Sequence, residues 1–61
     1  MVNLSEKELS AINELLSEEE LLVKKFQMLA NQTNDKKMKS EFGRISNKHQ
    51  GHFNELYQKL S

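Results

Sequence analysis

Three residues of this 61-residue chain have side chains that can ligate a metal ion at one place: Glu19, His49 and His52. His49 and His52 are three residues apart, so in a helix they share a face and two imidazoles can address one ion. Imidazole and carboxylate ligands suit zinc, iron, manganese or copper, and the ligand types alone do not name the metal. The sequence therefore predicts a transition-metal site, with iron, zinc or manganese as the expected ion.

Two helices joined by a short polar turn are predicted to position these residues. Strong helix formers dominate the first segment, which is expected to run over about residues 6–31. The second helix is expected over about residues 35–59, with Thr33 or Asn34 as its cap. The chain has no linker or low-complexity stretch, so residues 1–61 are expected to form one helical-hairpin domain.

Apolar residues recur in both helices at alternating steps of three and four. The stripe of the first helix consists of Leu9, Ile12, Leu16, Glu19, Val23, Phe26 and Ala30, widened by Leu15, Leu22 and Leu29. The stripe of the second consists of Met38, Phe42, Ile45, His49, His52 and Leu56, widened by Phe53 and Leu60. Faces this wide exceed what one antiparallel partner covers. The predicted fold is all-α: an antiparallel two-helix hairpin that forms a homodimeric four-helix bundle.

Glu19, His49 and His52 are the polar exceptions on these stripes. Folding the chain about Thr33 and Asn34 places Glu19 roughly opposite Lys48 and His49, and within a helical turn of His52. A buried carboxylate requires a cation or a hydrogen-bond donor, which a bound metal would supply. Two alternatives stay open at this point: a Glu–His hydrogen-bonded pair that sets the register of the core without metal, or another ligand in the same cavity.

Composition excludes several classes of function. Nine Lys and Arg balance nine Asp and Glu, whereas electrostatic binders of nucleic acid or anionic membranes need a basic surplus. The chain has no cysteine, so it has neither disulfides nor thiolate metal sites. No apolar run approaches the ~20 residues of a membrane span, and no signal-peptide pattern begins the chain, so an intracellular location is expected. No activated nucleophile or phosphate-binding loop is evident, so enzymatic activity is not expected.

The pattern resembles the ferritin-like superfamily. In those proteins each helix pair gives a lone Glu and a Glu-x-x-His motif to a di-iron centre. Glu19 matches the lone Glu, Phe26 stands where a Tyr is common, and His52 matches the motif His. His49 departs from the motif, because it occupies the position of the second Glu. The segments 19–26 and 49–53 also look like the short helical-hairpin relatives of the spore coat F family.

The resemblance implies a small structural or interaction protein, a spore coat component that assembles with other coat proteins and has a metal in its dimer core. The alternatives are a metal-dependent redox or metal-storage protein and a metal-free dimeric adaptor. Because His49 replaces a carboxylate that would bridge two irons, a mononuclear site in each subunit, or one at the two-fold axis, is expected in place of a di-iron centre.

Overall fold

The computed structural model describes residues 4–60, which form two helices, α1 (Glu6–Gln32) and α2 (Lys36–Gln58), and no strand. The start of α1 is defined by a capping box. The Ser5 hydroxyl accepts a hydrogen bond from the Glu8 amide, and the Glu8 carboxylate accepts one from the Ser5 amide. Both donor–acceptor distances are 3.1 Å. These two bonds satisfy amides that have no partner within the helix, and two acidic side chains in the first turn complement its dipole.

The turn between the helices differs from the prediction at its cap. Asp35, not Thr33 or Asn34, caps α2, because its carboxylate accepts from the amides of both Lys37 and Met38, at 2.8 and 3.1 Å. Thr33 instead closes α1, where its amide donates to the carbonyl of Leu29. A charged carboxylate is a stronger acceptor for these amides than a hydroxyl or an amide side chain.

The two helices pack side by side in opposite directions along a body of 46 × 16 × 10 Å. Among the described residues, the buried side chains are Ile12 and Val23 on α1 and Ser46 on α2. The Ser46 hydroxyl donates a hydrogen bond of 3.1 Å to the Val23 carbonyl, so the helices approach closely at this level. The prediction of an all-α fold with two helices is confirmed, and the hairpin has little apolar core of its own.

One side of the hairpin is apolar and incompletely covered; we call it the apolar face. Its residues are seven apart on α1 and seven or eleven apart on α2, which is close to two or three whole helical turns and places them on one side. They are Leu15, Leu22, Leu29, Met38, Ile45 and Leu56. Leu15 and Met38 are exposed and the other four are half-buried. The dimer that would cover this face stays a prediction. Neither helix of the described part is long and apolar enough to cross a membrane.

Candidate metal site

Glu19 and His49 meet because they lie at the same distance from the turn. Glu19 is at the middle of α1, thirteen residues before its last residue, and His49 is thirteen residues after the first residue of α2. With a turn of only three residues between the antiparallel helices, positions equally far from the turn lie at the same level. His52 follows His49 by one helical turn and lies on the same face.

The two imidazoles lie next to different oxygens of the same carboxylate. His49 Nδ1 lies 2.5 Å from Glu19 Oε1, and His52 Nδ1 lies 3.3 Å from Glu19 Oε2. The Glu19 side chain is 16% exposed, that of His49 24% and that of His52 47%. The carboxylate is therefore largely withdrawn from water, whereas His52 marks the side from which solvent or an ion reaches the site.

Aromatic rings hold His49 in place. Its imidazole stacks on Phe26 with ring centroids 6.0 Å apart and planes inclined by 14°. Phe26 also lies 6.0 Å from Phe42, and the His52 ring meets the edge of the His49 ring at 5.6 Å. The neighbouring rings of Phe26 and His52 restrict the rotation of His49 and so fix the direction of its two ring nitrogens.

The three side chains are close enough to ligate one ion. One ligand atom from each of Glu19, His49 and His52 can be chosen so that all three lie within 4.8 Å of one another. A tetrahedral ion with bonds of about 2.0–2.2 Å keeps its ligand atoms about 3.3–3.6 Å apart, so ligand atoms at the 4.8 Å limit would have to approach one another by roughly 1 Å. Three protein ligands leave a fourth position open to water or to another group.

The same contacts also give the Glu19 carboxylate a hydrogen-bond partner without a metal. With a proton on Nδ1, the His49 imidazole donates to Glu19 Oε1, and the His52 imidazole lies 3.3 Å from Oε2. Among the described residues, no buried side-chain nitrogen or oxygen lacks a hydrogen-bond partner. The arrangement is thus compatible with the metal-free alternative, and metal binding has to be measured.

The sequence reasoning brought together the three residues that the structure brings together, but it missed Ser46. This serine is buried between the helices although serine is usually a surface residue. Its spacing of four from Phe42 and seven from Phe53 was the available signal, since that spacing puts it on the inward side of α2. Ser46 sets the separation of the helices one turn below the site.

Comparisons of the chain with family models, with curated proteins and with solved structures give no match.

Proposed function

We propose that this chain is a small ferritin-like structural protein that acts as a homodimer and holds a transition-metal ion at Glu19, His49 and His52 in the dimer core. The observation that carries the proposal is the convergence of one carboxylate and two imidazoles on a single point, halfway along the hairpin. The three residues border the apolar face, so a second copy covering that face would enclose the ion.

The ligand set favours a metal site over a metal-free Glu–His pair that only sets the register of the two helices. A hydrogen-bonded pair needs only one donor for the Glu19 carboxylate, and His49 already provides it at 2.5 Å. His52 is nearly half exposed and adds a second imidazole at 3.3 Å, which a register role does not require. Zinc, iron and manganese each accept this mixture of nitrogen and oxygen ligands.

The same ligand set argues for a structural role of the ion over ferroxidase chemistry. A homodimer provides two Glu and four His, whereas a ferritin-like di-iron centre uses four Glu and two His. Fewer carboxylates leave less negative charge to neutralise two adjacent irons. The resemblance to the spore coat F family supports a coat component that assembles with other coat proteins.

Metal content and chelator response test the proposal. The purified dimer is expected to contain a transition metal or to take one up from zinc, iron or manganese, and chelator at about pH 7.5 is expected to lower its melting temperature. The control is the variant with Glu19→Leu, His49→Leu and His52→Leu together, which should fold, bind no metal and ignore chelator. A wild-type protein that takes up none of these ions and melts identically with chelator would falsify the proposal.

Oxygen consumption with ferrous iron separates the structural role from the redox alternative. A structural site predicts no catalysed uptake above that of the triple variant. Sustained uptake that His52→Ala abolishes would instead establish a metal-dependent redox protein that uses the same residues.

A further inference from the structure

Charges are segregated along the length of the hairpin although the chain is neutral overall. Residues 5–20 contain six glutamates and one lysine, a net charge of −5. Residues 21–48 contain six lysines and one arginine against one aspartate and one glutamate, a net charge of +5. Glu55 and Lys59 cancel in the remainder of α2. The neutral total, which by itself argues against binding to an anionic membrane, thus conceals a basic half that contains the turn.

The basic charge is most concentrated at the start of α2, where three of the first four residues are the exposed Lys36, Lys37 and Lys39. The positive end of the helix dipole disfavours cations at this place, and the first turn of α2 contains no acidic residue. The carboxylate of Asp35 accepts from two backbone amides. Three lysines here oppose the stability of the helix, so a structural role does not explain them.

The ion pairs of the basic half leave most of its lysines without a carboxylate. Among the described residues, Lys24 pairs with Glu20 and Arg44 pairs with Glu41, whereas the three lysines at the start of α2 pair with no acidic side chain. An ammonium group is a point charge and lacks the planar fork with which arginine holds one phosphate or carboxylate. Free, flexible ammonium groups suit a surface with many anionic groups better than a single shaped ligand.

A lipid surface fits this end of the hairpin better than a nucleic acid. Single-stranded nucleic acids stack their bases on aromatic side chains, but the rings of the basic half, Phe26 and Phe42, are half-buried and lie 6.0 Å from one another. Met28 is 51% exposed and follows Lys25 by three residues on the same side of α1, outside the apolar face. An apolar side chain beside cations can enter the boundary between lipid headgroups and acyl chains.

We infer that the turn end of the hairpin, defined as Lys25, Met28, Lys36, Lys37 and Lys39, docks on an anionic phospholipid surface. The lysines supply attraction to the headgroups, and the negative charge of residues 5–20 disfavours contact of the other end with the same surface. None of the five residues belongs to the apolar face or to the metal site. The inference is therefore independent of the proposed function and compatible with it.

Co-sedimentation with vesicles tests the inference. The wild-type protein is expected to sediment with vesicles of phosphatidylcholine and phosphatidylglycerol, to stay in solution with phosphatidylcholine alone, and to be released by salt. Lys36→Glu with Lys37→Glu should weaken binding by roughly 30-fold or more, since each lysine near such a surface adds about fivefold. The matched control is Lys7→Glu with Lys59→Glu, which changes the net charge equally at the acidic end and should bind nearly as the wild type does.

The melting temperature gives a second readout. Removing two cations from the positive end of the helix dipole should raise the melting temperature of Lys36→Glu with Lys37→Glu while its vesicle binding falls. A gain of stability together with a loss of binding separates a docking role from a structural one. Should this variant lose its helices by circular dichroism, Lys36→Gln with Lys37→Gln removes the same charges without adding new ones and is expected to lose binding as well.

Three results would overturn the inference. They are a wild-type protein that ignores anionic vesicles, an equal loss of binding in both double variants, which would assign the effect to net charge alone, and tighter binding to an oligonucleotide than to anionic vesicles, which would make nucleic acid the partner. Metal uptake should be the same in both double variants as in the wild type. Failure of docking would thus leave the proposed function intact, and a wild-type protein that takes up no metal would leave the docking intact.

Discussion

The carboxylate of Glu19 lies 2.5 Å from Nδ1 of His49, joining the middle of α1 to a residue thirty positions later in the chain. The contact depends on an equal distance of both residues from the turn and on the close helix approach at Ser46. It places a polar cluster at the border of the apolar face, halfway along the hairpin.

The adjacent leucines 21 and 22 provide a matched test of the apolar face. Leu22→Lys places a charge on that face and is expected to dissociate the dimer and unfold the chain together, because a lone hairpin buries little. Leu21 is 68% exposed on the other side of α1, so Leu21→Lys should leave mass and melting temperature unchanged. Sedimentation and circular dichroism at equal concentration measure both; equal behaviour of the two variants would contradict the assigned interface.

Gly43 and Gly51 are predicted to be replaceable by alanine. A Cβ at either position meets no atom within 4 Å, so the substitution should add only helix propensity. Each variant is expected to gain about 1 kcal/mol in the free energy of unfolding, measured with urea. Both glycines lie away from the apolar face. Loss of the dimer in Gly43→Ala would therefore show that the dimer interface lies on the side of Gly43 and not on the apolar face.

Asp35→Ala is expected to cost about 1 kcal/mol, because two amides of the first turn of α2 lose their acceptor. The neighbouring Asn34→Ala is the control and should have little effect. Thermal melting of the two variants measures the difference. If Asn34→Ala proved the more damaging, the cap of α2 would lie one residue earlier than the structure places it.

His49 and His52 are predicted to contribute equally to metal uptake and unequally to stability. Either alanine substitution removes a ligand and should abolish stoichiometric metal binding. In metal-free protein His49→Ala should destabilise more, since it removes both the 2.5 Å contact to Glu19 and the stack on Phe26. Urea unfolding at a fixed protein concentration measures the free energy of unfolding of each variant. A larger loss of this free energy in His52→Ala than in His49→Ala would contradict the prediction.

The capping box predicts a response to acid. Hydrogen bonds from the backbone amide and hydroxyl of Ser5 lower the pKa of Glu8 below its ordinary value. The stabilisation is therefore complete above the ordinary pKa of a glutamate and is lost as pH falls through the lowered value. Glu8→Gln should remove this part of the acid sensitivity of melting; an unchanged pH profile would show that the box contributes nothing there.

The sequence by itself determined the features that depend on neighbours within one or two helical turns. The capping box at Ser5 and Glu8 needs residues three apart, and the apolar stripes follow from the helical repeat. The equal distances of Glu19 and His49 from a short polar turn also made their meeting predictable, because helix rise is constant.

Only the tertiary structure decided what depends on the distance between the helices. The spacing of Ser46 on α2 indicates only its inward side, whereas its hydrogen bond to the carbonyl of Val23 depends on how closely the opposite helix approaches. The contacts of His49 and His52 with separate oxygens of Glu19, and the stacking of His49 on Phe26, depend on side-chain rotamers set by packing. The cap at Asp35 was likewise decided by the path of the turn, since several neighbouring residues have side chains able to cap a helix.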